Sequence, residues 1–470
     1  MPTDDHAALT RAFAHAGAYL DGLDQAPVFA RASLEDLRGR LGRPLPGPGT
    51  PAARVIDELV ADTAGGLHGS QGGRFFGWVI GGGLPAPIAA DWLTAVWDQN
   101  ATLYASGPAA AVVEEVAGAW LKTLFDLPDA ASFAFVTGCQ MAHVTGLAAA
   151  RHAVLRDRGW DVERKGLFGA PPVRVLTNPD RHGSVDVALR LLGFGIDALE
   201  PLPLDDDRRV SPQGLSAALA GQAERPTIVV LQAGELNLAA FDPFRALVPI
   251  ARAAGAWTHV DGAFGLWAKV SPRLRHLADG VELADSWTTD GHKYLNVPYD
   301  SGLAFVRDAD AHRAAMTLAT SYLPAGGGMA RDPLDWNPEL SRRARGFAVY
   351  AAIRELGREG LADLVDRTCR HARAIAEGIG ALPGAELVSV SPLNQGLVRF
   401  PSPAAGATPD DDDRRTDAVI AAINASGEAL FGGVTWRGRR AMRVSVSNWR
   451  TTEADVARAI AAARTALADT

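Results

Sequence analysis

The chain has 470 residues, of which 47% are hydrophobic and 21% are charged. This length exceeds one ordinary domain and allows a large buried core, and the composition is that of a globular protein rather than a disordered one. The net charge is −8, and the basic residues are scattered along the chain. Both features exclude a basic surface for nucleic acid or for an anionic membrane, so we expect a small-molecule partner.

The cysteine content and the N-terminus bear on the compartment. The chain contains two cysteines, Cys139 and Cys369, far apart in the sequence, which favours a reducing environment over a disulfide framework. Acidic residues near the N-terminus stand where a secretory signal carries lysines and an apolar run. Apolar stretches stay shorter than the roughly 18–20 residues of a membrane span. We therefore expect a cytoplasmic protein.

The N-terminal part of the chain is predicted to be helical and rich in loops. Residues 7–20 and 51–64 carry apolar residues at helical spacing. A glycine-dense stretch at residues 69–83 then excludes a regular helix. Such a stretch exposes its backbone or its aromatic side chains to whatever lies beside it.

From about residue 108 onwards, short β-rich runs alternate with helical segments. The runs that we predict to be buried strands are residues 173–176, 227–231, 256–260, 286–289 and 303–306. Strands that alternate with helices favour an α/β fold with a largely parallel sheet that is covered on both faces.

The sequence after about residue 345 predicts a smaller α+β part. A long helical region leads to residue 382, and later segments predict three strands and a closing helix: residues 385–390, 396–400, 442–447 and 453–467. The charge run at residues 409–415 is predicted to be a solvated loop. We therefore expect an N-terminal helical segment at 1–105, a large domain at 106–365 and a C-terminal domain at 366–470.

Two predicted strands lead into residues that suggest a chemistry. His259 and Asp261 alternate along one strand, so both point the same way at the carboxyl edge of the sheet, where parallel sheets bind ligands. A second strand leads into the run His292-Lys293-Tyr294. Pyridoxal phosphate (PLP) requires a lysine amine, which forms an imine, and a carboxylate, which keeps the pyridine nitrogen protonated. An isolated lysine is most often a surface charge, but a lysine between apolar strands favours the cofactor role.

The order of these motifs resembles that of the group II PLP-dependent decarboxylases, the family of the aromatic-amino-acid, histidine and glutamate decarboxylases. That family carries His-Val-Asp-Ala and, further along, a His-Lys pair. This chain has His-Val-Asp-Gly-Ala at residues 259–263 and the pair His292-Lys293. The resemblance extends from about Arg74 to the C-terminus. It implies PLP fold type I, similar to aspartate aminotransferase, and decarboxylation of an L-amino acid to an amine and CO2.

The resemblance also implies roles for residues around the cofactor ring. Lys293 corresponds to the lysine that holds PLP, and Asp261 to the acid at the pyridine nitrogen. Ala263 resembles the small residue on one face of the ring, and His182 resembles the histidine stacked on the other face. A loop histidine at a helix start, capped by neighbouring polar groups, is the alternative for His182. No metal ion is expected.

A turn before a predicted helix resembles the phosphate-binding turn of the family. Backbone N–H groups and a helix N-terminus suit a phosphate. The residues of this turn are Thr137, Gly138, Cys139 and Gln140. Asp290 falls where many relatives have asparagine near the phosphate, and an acid there repels a phosphate unless its carboxylate is turned away or paired. His292 completes the predicted cofactor contacts, and Cys139 is expected to be a small spacer rather than a catalytic thiol.

The main departure from the family lies in a loop at residues 328–338. Relatives carry a tyrosine there that protonates the carbon atom after CO2 leaves, whereas this chain has Pro333 at the corresponding position. Tyr322 or His292 is expected to supply the proton instead. Without such a donor, the enzyme could react with O2, so an oxidative deaminase or aldehyde synthase is the alternative. A cofactor-free interaction protein is a further alternative, but it would not need Lys293, Asp261 and His182 together.

The substrate pocket and the assembly are also implied by the resemblance. Phe76 and Trp78 resemble aromatic residues that line the substrate site, with core packing as their alternative, and Trp336 lies in the loop beside it. We see no arginine placed to bind a distal carboxylate, which favours a bulky apolar or aromatic amino acid. The family forms homodimers with shared active sites, and Ser341 resembles the residue whose backbone N–H binds the neighbour's phosphate.

Overall fold

A computed structural model describes residues 5–317 and 330–470. The chain divides into two compact units. Unit 1 comprises Met1–Ile80, Ala374–Ser389 and Leu397–Thr470, and unit 2 comprises Gly81–Arg373 and Val390–Gly396. The division into domains at residues 105 and 365 stays a prediction. Within the described residues, none of the helices combines the length and the hydropathy that a membrane span needs.

The described residues form the following helices and strands. The helices are α1 (Asp5–Gly22), α2 (Leu34–Leu41), α3 (Ala52–Thr63), α4 (Pro85–Trp97), α5 (Pro108–Leu124), α6 (Cys139–Arg156), α7 (Val162–Lys165), α8 (Gly183–Leu191), α9 (Pro212–Leu219), α10 (Phe244–Ala253), α11 (Ala309–Met316), α12 (Gly346–Gly380), α13 (Pro409–Ser426) and α14 (Glu453–Asp469). The strands are β1 (Ser132–Val136), β2 (Arg174–Thr177), β3 (Leu199–Pro201), β4 (Thr227–Gln232), β5 (Trp257–Asp261), β6 (Ser286–Asp290), β7 (Gly302–Val306), β8 (Glu386–Val390), β9 (Gln395–Arg399), β10 (Gly432–Trp436) and β11 (Arg439–Ser445).

Unit 2 contains a seven-stranded sheet in the order β1-β7-β6-β5-β4-β2-β3. β7 runs antiparallel to both of its neighbours, and the other pairings are parallel. Every residue of β1, β2 and β4 to β7 is buried, as expected for strands with helices on both faces. The predicted α/β fold with a mostly parallel sheet is confirmed.

Helices α6 and α8 belong to the core that covers one face of this sheet. Leu147 and Val154 of α6 cluster with Leu189 of α8 and with Ile228 of β4. Full burial of one such side chain stabilises the fold by about 1.5–3 kcal/mol. This packing fixes α6 with its N-terminus just beyond the carboxyl end of β1.

Unit 1 contains α1 to α3 and most of a four-stranded sheet in the order β10-β11-β9-β8. The prediction of a solvated loop at residues 409–415 is wrong, because these residues form the start of α13. Thr408 caps the helix by accepting the Asp411 N–H, and the Asp411 side chain accepts the Thr408 N–H in return. Pro409 suits the first helical position, and acidic side chains in the first turn interact favourably with the helix dipole.

Candidate active site

The carboxyl ends of β1, β5 and β6 meet at one edge of the unit 2 sheet. Asp261 is the last residue of β5, and Asp290 is the last residue of β6. Lys293 follows in the loop after β6, and α6 begins at Cys139, just after β1. Parallel strands end at a common edge, so residues from three separate parts of the sequence come together there.

Lys293 forms an ion pair with Asp290 in this site. Lys293 Nζ lies 2.8 Å from Asp290 Oδ2, and Asp290 Oδ1 accepts the backbone N–H of Cys139 at 2.6 Å. Burial alone would lower the pKa of the Lys293 amine, but Asp290, together with Cys139 and Asp261, outweighs burial and raises that pKa. The amine is therefore held as an ammonium ion, and the acid that stands near the predicted phosphate position is paired.

Asp261 is buried and ionised. Its Oδ1 accepts the N–H of Ala263 at 3.1 Å, and its Oδ2 lies 3.5 Å from Nε2 of His143. Burial alone would raise the pKa of Asp261, but His143 and the Ala263 N–H together hold it well below its usual range. A permanently ionised carboxylate of this kind can hold a proton on a ring nitrogen that faces it.

Cys139 presents its backbone and its side chain to different partners. Its Sγ lies 3.1 Å from Thr288 Oγ1 and 3.9 Å from Asp261 Oδ1. Burial, followed by the charge of Asp261, raises the pKa of the Cys139 thiol well above its usual range. The thiol therefore stays protonated and is a poor nucleophile, in line with the expected spacer.

The turn before α6 provides a positive helix end. Thr137 and Gly138 are half-buried, Gln140 is exposed, and the first turn of this 18-residue helix contains no acid. Gly302 of β7 lies against the turn so closely that a Cβ there would lie 2.4 Å from the Gly138 backbone. The helix end and the small residues fit a phosphate group, although the Cys139 N–H is donated to Asp290.

His182 and His292 are the two histidines predicted to contact the cofactor. His182 stands at the start of α8, where its Nδ1 accepts the Ser184 N–H at 3.2 Å; its stacking role stays a prediction. His182 is also among the groups that lower the pKa of Asp261. His292 accepts the Ser301 N–H at Nδ1, and its ring stacks on Tyr299 with 4.4 Å between ring centroids.

The predicted substrate residues have different surroundings. In unit 1, Phe76 is fully buried and stacks on Phe431, as its core-packing alternative requires, whereas the Trp78 side chain is 59% exposed. In unit 2, the Trp336 ring packs against Arg331. Their contacts with a substrate stay predictions.

Three further residues bear on the loop and on the assembly. Tyr322 lies outside the described residues. Pro333 begins a short helical turn whose Leu334 N–H binds the Thr102 carbonyl oxygen, and Ser341 is exposed.

Sequence reasoning missed one functional candidate, His143. This histidine stands four residues after Cys139 on α6, so both side chains share the helix face that covers β5 and β6. His143 touches both His259 and Asp261. The sequence signal that could have identified His143 is a polar residue four positions after Cys139, on the helix that follows the predicted phosphate turn.

Comparisons with known proteins agree with this geometry. The family described as the pyridoxal-dependent decarboxylase conserved domain matches residues 55–401. The aromatic-L-amino-acid decarboxylase of Bacillus atrophaeus is 25% identical, over 92% of this chain and 89% of its own. The L-2,4-diaminobutyrate decarboxylase of Rhizobium meliloti is 31% identical, over 78% and 72%.

Two further similarities concern the reaction and the fold. The 4-hydroxyphenylacetaldehyde synthase of Rhodiola rosea is 26% identical, over 88% of this chain and 85% of its own. The crystal structure of Oryza sativa TDC with PLP and tryptamine superposes with a TM-score of 0.92 at 23% identity, over 100% of this chain and 98% of the other. The chain therefore belongs to the pyridoxal-dependent decarboxylase family, as a PLP-dependent carboxy-lyase of fold type I.

Proposed function

We propose that this enzyme converts an L-amino acid with an aromatic or bulky apolar side chain into the amine and CO2, with Lys293 as the residue that binds PLP. The observation that carries the proposal is Lys293, which is paired with Asp290 and only 20% exposed, together with the ionised Asp261 at the carboxyl edge of the sheet. When bound, PLP supplies an electron sink for the electron pair that the departing carboxylate leaves behind.

Each residue of the site has a separate role in this proposal. The Lys293 amine would hold the cofactor covalently, and the substrate amine would take its place there. Asp261 would keep a proton on the ring nitrogen, and the turn at residues 137–140 would hold the phosphate at the N-terminus of α6. Ala263 and His182 would be the residues beside the ring.

His292 is the described residue that fits the role of proton donor. Burial lowers its pKa, so its ring is neutral near pH 7. Because Nδ1 accepts the Ser301 N–H, the single ring proton lies on Nε2. Nε2 lies 3.5 Å from Asp290 Oδ1, and its proton would be donated to the substrate in place of the loop tyrosine that Pro333 replaces.

A second candidate function follows from the same replacement. An aldehyde synthase consumes O2 and releases an aldehyde, ammonia and peroxide along with CO2. The relative in Rhodiola rosea bears such a name. A chain with Pro333 instead of the tyrosine would favour this route if His292 did not deliver its proton quickly.

One screen distinguishes the two functions. The twenty amino acids are tested for CO2 release, and O2 consumption is followed in parallel. We expect an aromatic amino acid to give equal amounts of amine and CO2 without O2 uptake. Aldehyde and peroxide formed with O2 uptake would support the second function, and an enzyme without CO2 release from any amino acid would contradict both.

The choice of an aromatic substrate rests on the name of the Bacillus atrophaeus relative, which indicates aromatic amino acids. The relative in Rhizobium meliloti bears the name of a diaminobutyrate enzyme, so the screen includes cationic amino acids.

Asp290→Asn is expected to move cofactor loading to lower pH. The raised pKa of Lys293 means that its proton is lost only at high pH, and the free amine is the form that binds PLP. Without the carboxylate, burial dominates and lowers that pKa, so loading should accelerate near neutral pH. The rate at which cofactor-free enzyme takes up PLP, measured by absorbance across pH, tests this. Asp300→Asn, which removes an acid paired with Arg345, should leave the loading profile unchanged.

We also propose a cytoplasmic homodimer. Both cysteines are free, which suits a reducing compartment. Helix α4 carries an apolar patch on one side, and the α5 residue Val112 is exposed as well. The α4 residues of this patch are 41–59% exposed: Trp92, Leu93, Val96 and Trp97. Exposed apolar patches mark association surfaces, and two-fold dimers are the commonest assemblies.

Sedimentation tests the dimer directly. The wild-type enzyme should sediment at twice the mass of one chain, and the double variant Leu93→Glu/Val96→Glu should sediment as a monomer because charges on the patch oppose burial. Phe168→Glu is the matched control, because Phe168 is an exposed apolar residue of unit 2 outside the patch. A fully active wild-type monomer would contradict the proposal.

Hybrid enzymes test whether the active site is shared. Lys293→Ala subunits are mixed with subunits that carry alanines at residues 332–337. A hybrid dimer should recover partial activity, because one of its sites combines an intact lysine with an intact loop from the other chain. Mixtures that stay as inactive as the two parents would show that each chain completes its own site.

A further inference from the structure

Behind Asp261, side chains of unit 2 form a continuous hydrogen-bonded chain. The Trp257 Nε1–H donates to Ser286 Oγ at 2.9 Å, and Ser286 Oγ lies 2.8 Å from Nδ1 of His259. His259 Nε2 lies 2.9 Å from Nδ1 of His143, and His143 Nε2 lies 3.5 Å from Asp261 Oδ2. Ser286 and both histidines are fully buried, so bulk water does not compete for these contacts.

The direction of each hydrogen bond follows from the two ends of this chain. An ionised carboxylate only accepts, so the proton that faces Asp261 lies on Nε2 of His143. The Trp257 N–H already donates to Ser286, so the Ser286 hydroxyl donates to Nδ1 of His259. The ring proton of His259 then lies on Nε2, which donates to Nδ1 of His143. Burial, with the nearby His143, lowers the pKa of His259 well below its usual range, so that ring stays neutral. Ser286 therefore donates to His259 and accepts from Trp257.

The packing of α6 on β5 holds this chain in place. Gly146 lies so close to the His259 ring that a Cβ there would lie 2.8 Å from Cε1. His143 and Gly146 are three residues apart on α6, so both lie on the helix face that covers β5. His259 and Asp261 are two residues apart and lie on one face of the strand. Aligned donors in a buried chain strengthen one another, and here their positive ends all point towards Asp261.

We propose that His143 and His259 are positioning residues, which keep Asp261 ionised and oriented towards the ring nitrogen of PLP through this chain of donors. The inference rests on the proposed function, because it takes Asp261 as the contact of that nitrogen. A protonated carboxyl group would not stabilise a protonated ring, so the chain keeps the acid in the form that the reaction needs.

The test compares how tightly the cofactor-free protein binds PLP and its 1-deaza analogue, in which a C–H group replaces the ring nitrogen. Both molecules share the phosphate and the aldehyde, so the ratio of their dissociation constants isolates the ring-nitrogen contact. We expect the wild-type protein to prefer PLP. His143→Leu and His259→Leu should each reduce this preference by about tenfold or more, which corresponds to a lost hydrogen bond to a charged group.

Two further variants separate this role from a merely structural one. His143→Gln should keep most of the preference, because its amide N–H reaches the position of Nε2. His312→Leu should leave the ratio unchanged. His312 is equally buried but bonds to Ser132, at the opposite end of β1, and to the Trp336 carbonyl oxygen.

The outcomes distinguish this inference from the proposed function. If Asp261→Ala abolishes the preference for PLP and both leucine variants retain it, the donor chain has no role and the inference is overturned. If Asp261→Ala also retains the preference, Asp261 does not contact the ring nitrogen, and the assignment of the site fails together with the inference. If one leucine variant does not fold, the ratio of the two dissociation constants is measured on the other leucine variant and on His143→Gln.

Discussion

Lys293→Ala should lower turnover by at least about a thousandfold, because the covalent attachment of PLP and a group that moves protons are lost together. The rate of CO2 release at saturating PLP measures this effect. Lys269→Ala is the matched control, since Lys269 is another lysine of unit 2 that pairs with an acid; it is buried, with its Nζ 3.0 Å from Asp126. That variant should lose stability and keep its turnover. Equal losses of turnover in both variants would mean that Lys293→Ala acts by destabilising the fold.

Asp261→Asn should bind PLP weakly and lose about a hundredfold or more of its turnover. A neutral amide does not hold the proton on the ring nitrogen, so the electron sink is weakened. Turnover is measured at PLP concentrations that saturate the variant, so that weak binding does not contribute.

Asp242→Asn provides the control for this change. Asp242 is a buried acid of unit 2 that accepts the N–H groups of Val210 and Gln232, and burial raises its pKa to about 6. Its replacement should change stability far more than turnover. Near-normal turnover of Asp261→Asn would mean that another residue contacts the ring nitrogen.

Features that depend on local sequence pattern could be predicted from the sequence. The strands of the parallel sheet are short apolar runs bounded by turns, and β5 and β6 lie within a residue or two of their predicted bounds. Asp261 and Lys293 follow from their positions at the ends of these strands. Strand alternation also predicted that His259 and Asp261 lie on one face of β5. Their shared contact with His143 agrees with this prediction.

Features that depend on partners distant in sequence could not be predicted in the same way. Asp290 was expected near a phosphate, and nothing local indicates that it bonds to Cys139, 151 residues away. The donor chain joins α6, β5 and β6, and its residues have no common local pattern. The prediction of a loop at residues 409–415 was wrong for a different reason. The charge run indicated a solvated loop, whereas Thr408 and Asp411 form a capping box that begins a helix.

The most direct test of the account is to reduce the PLP-loaded enzyme with borohydride and to map the labelled peptide. Borohydride fixes the cofactor to the amine that holds it. The account predicts a single label on Lys293, in the peptide that also contains His292 and Tyr294, and no label in Lys293→Ala. A label on any other lysine of the wild-type enzyme would contradict the central claim.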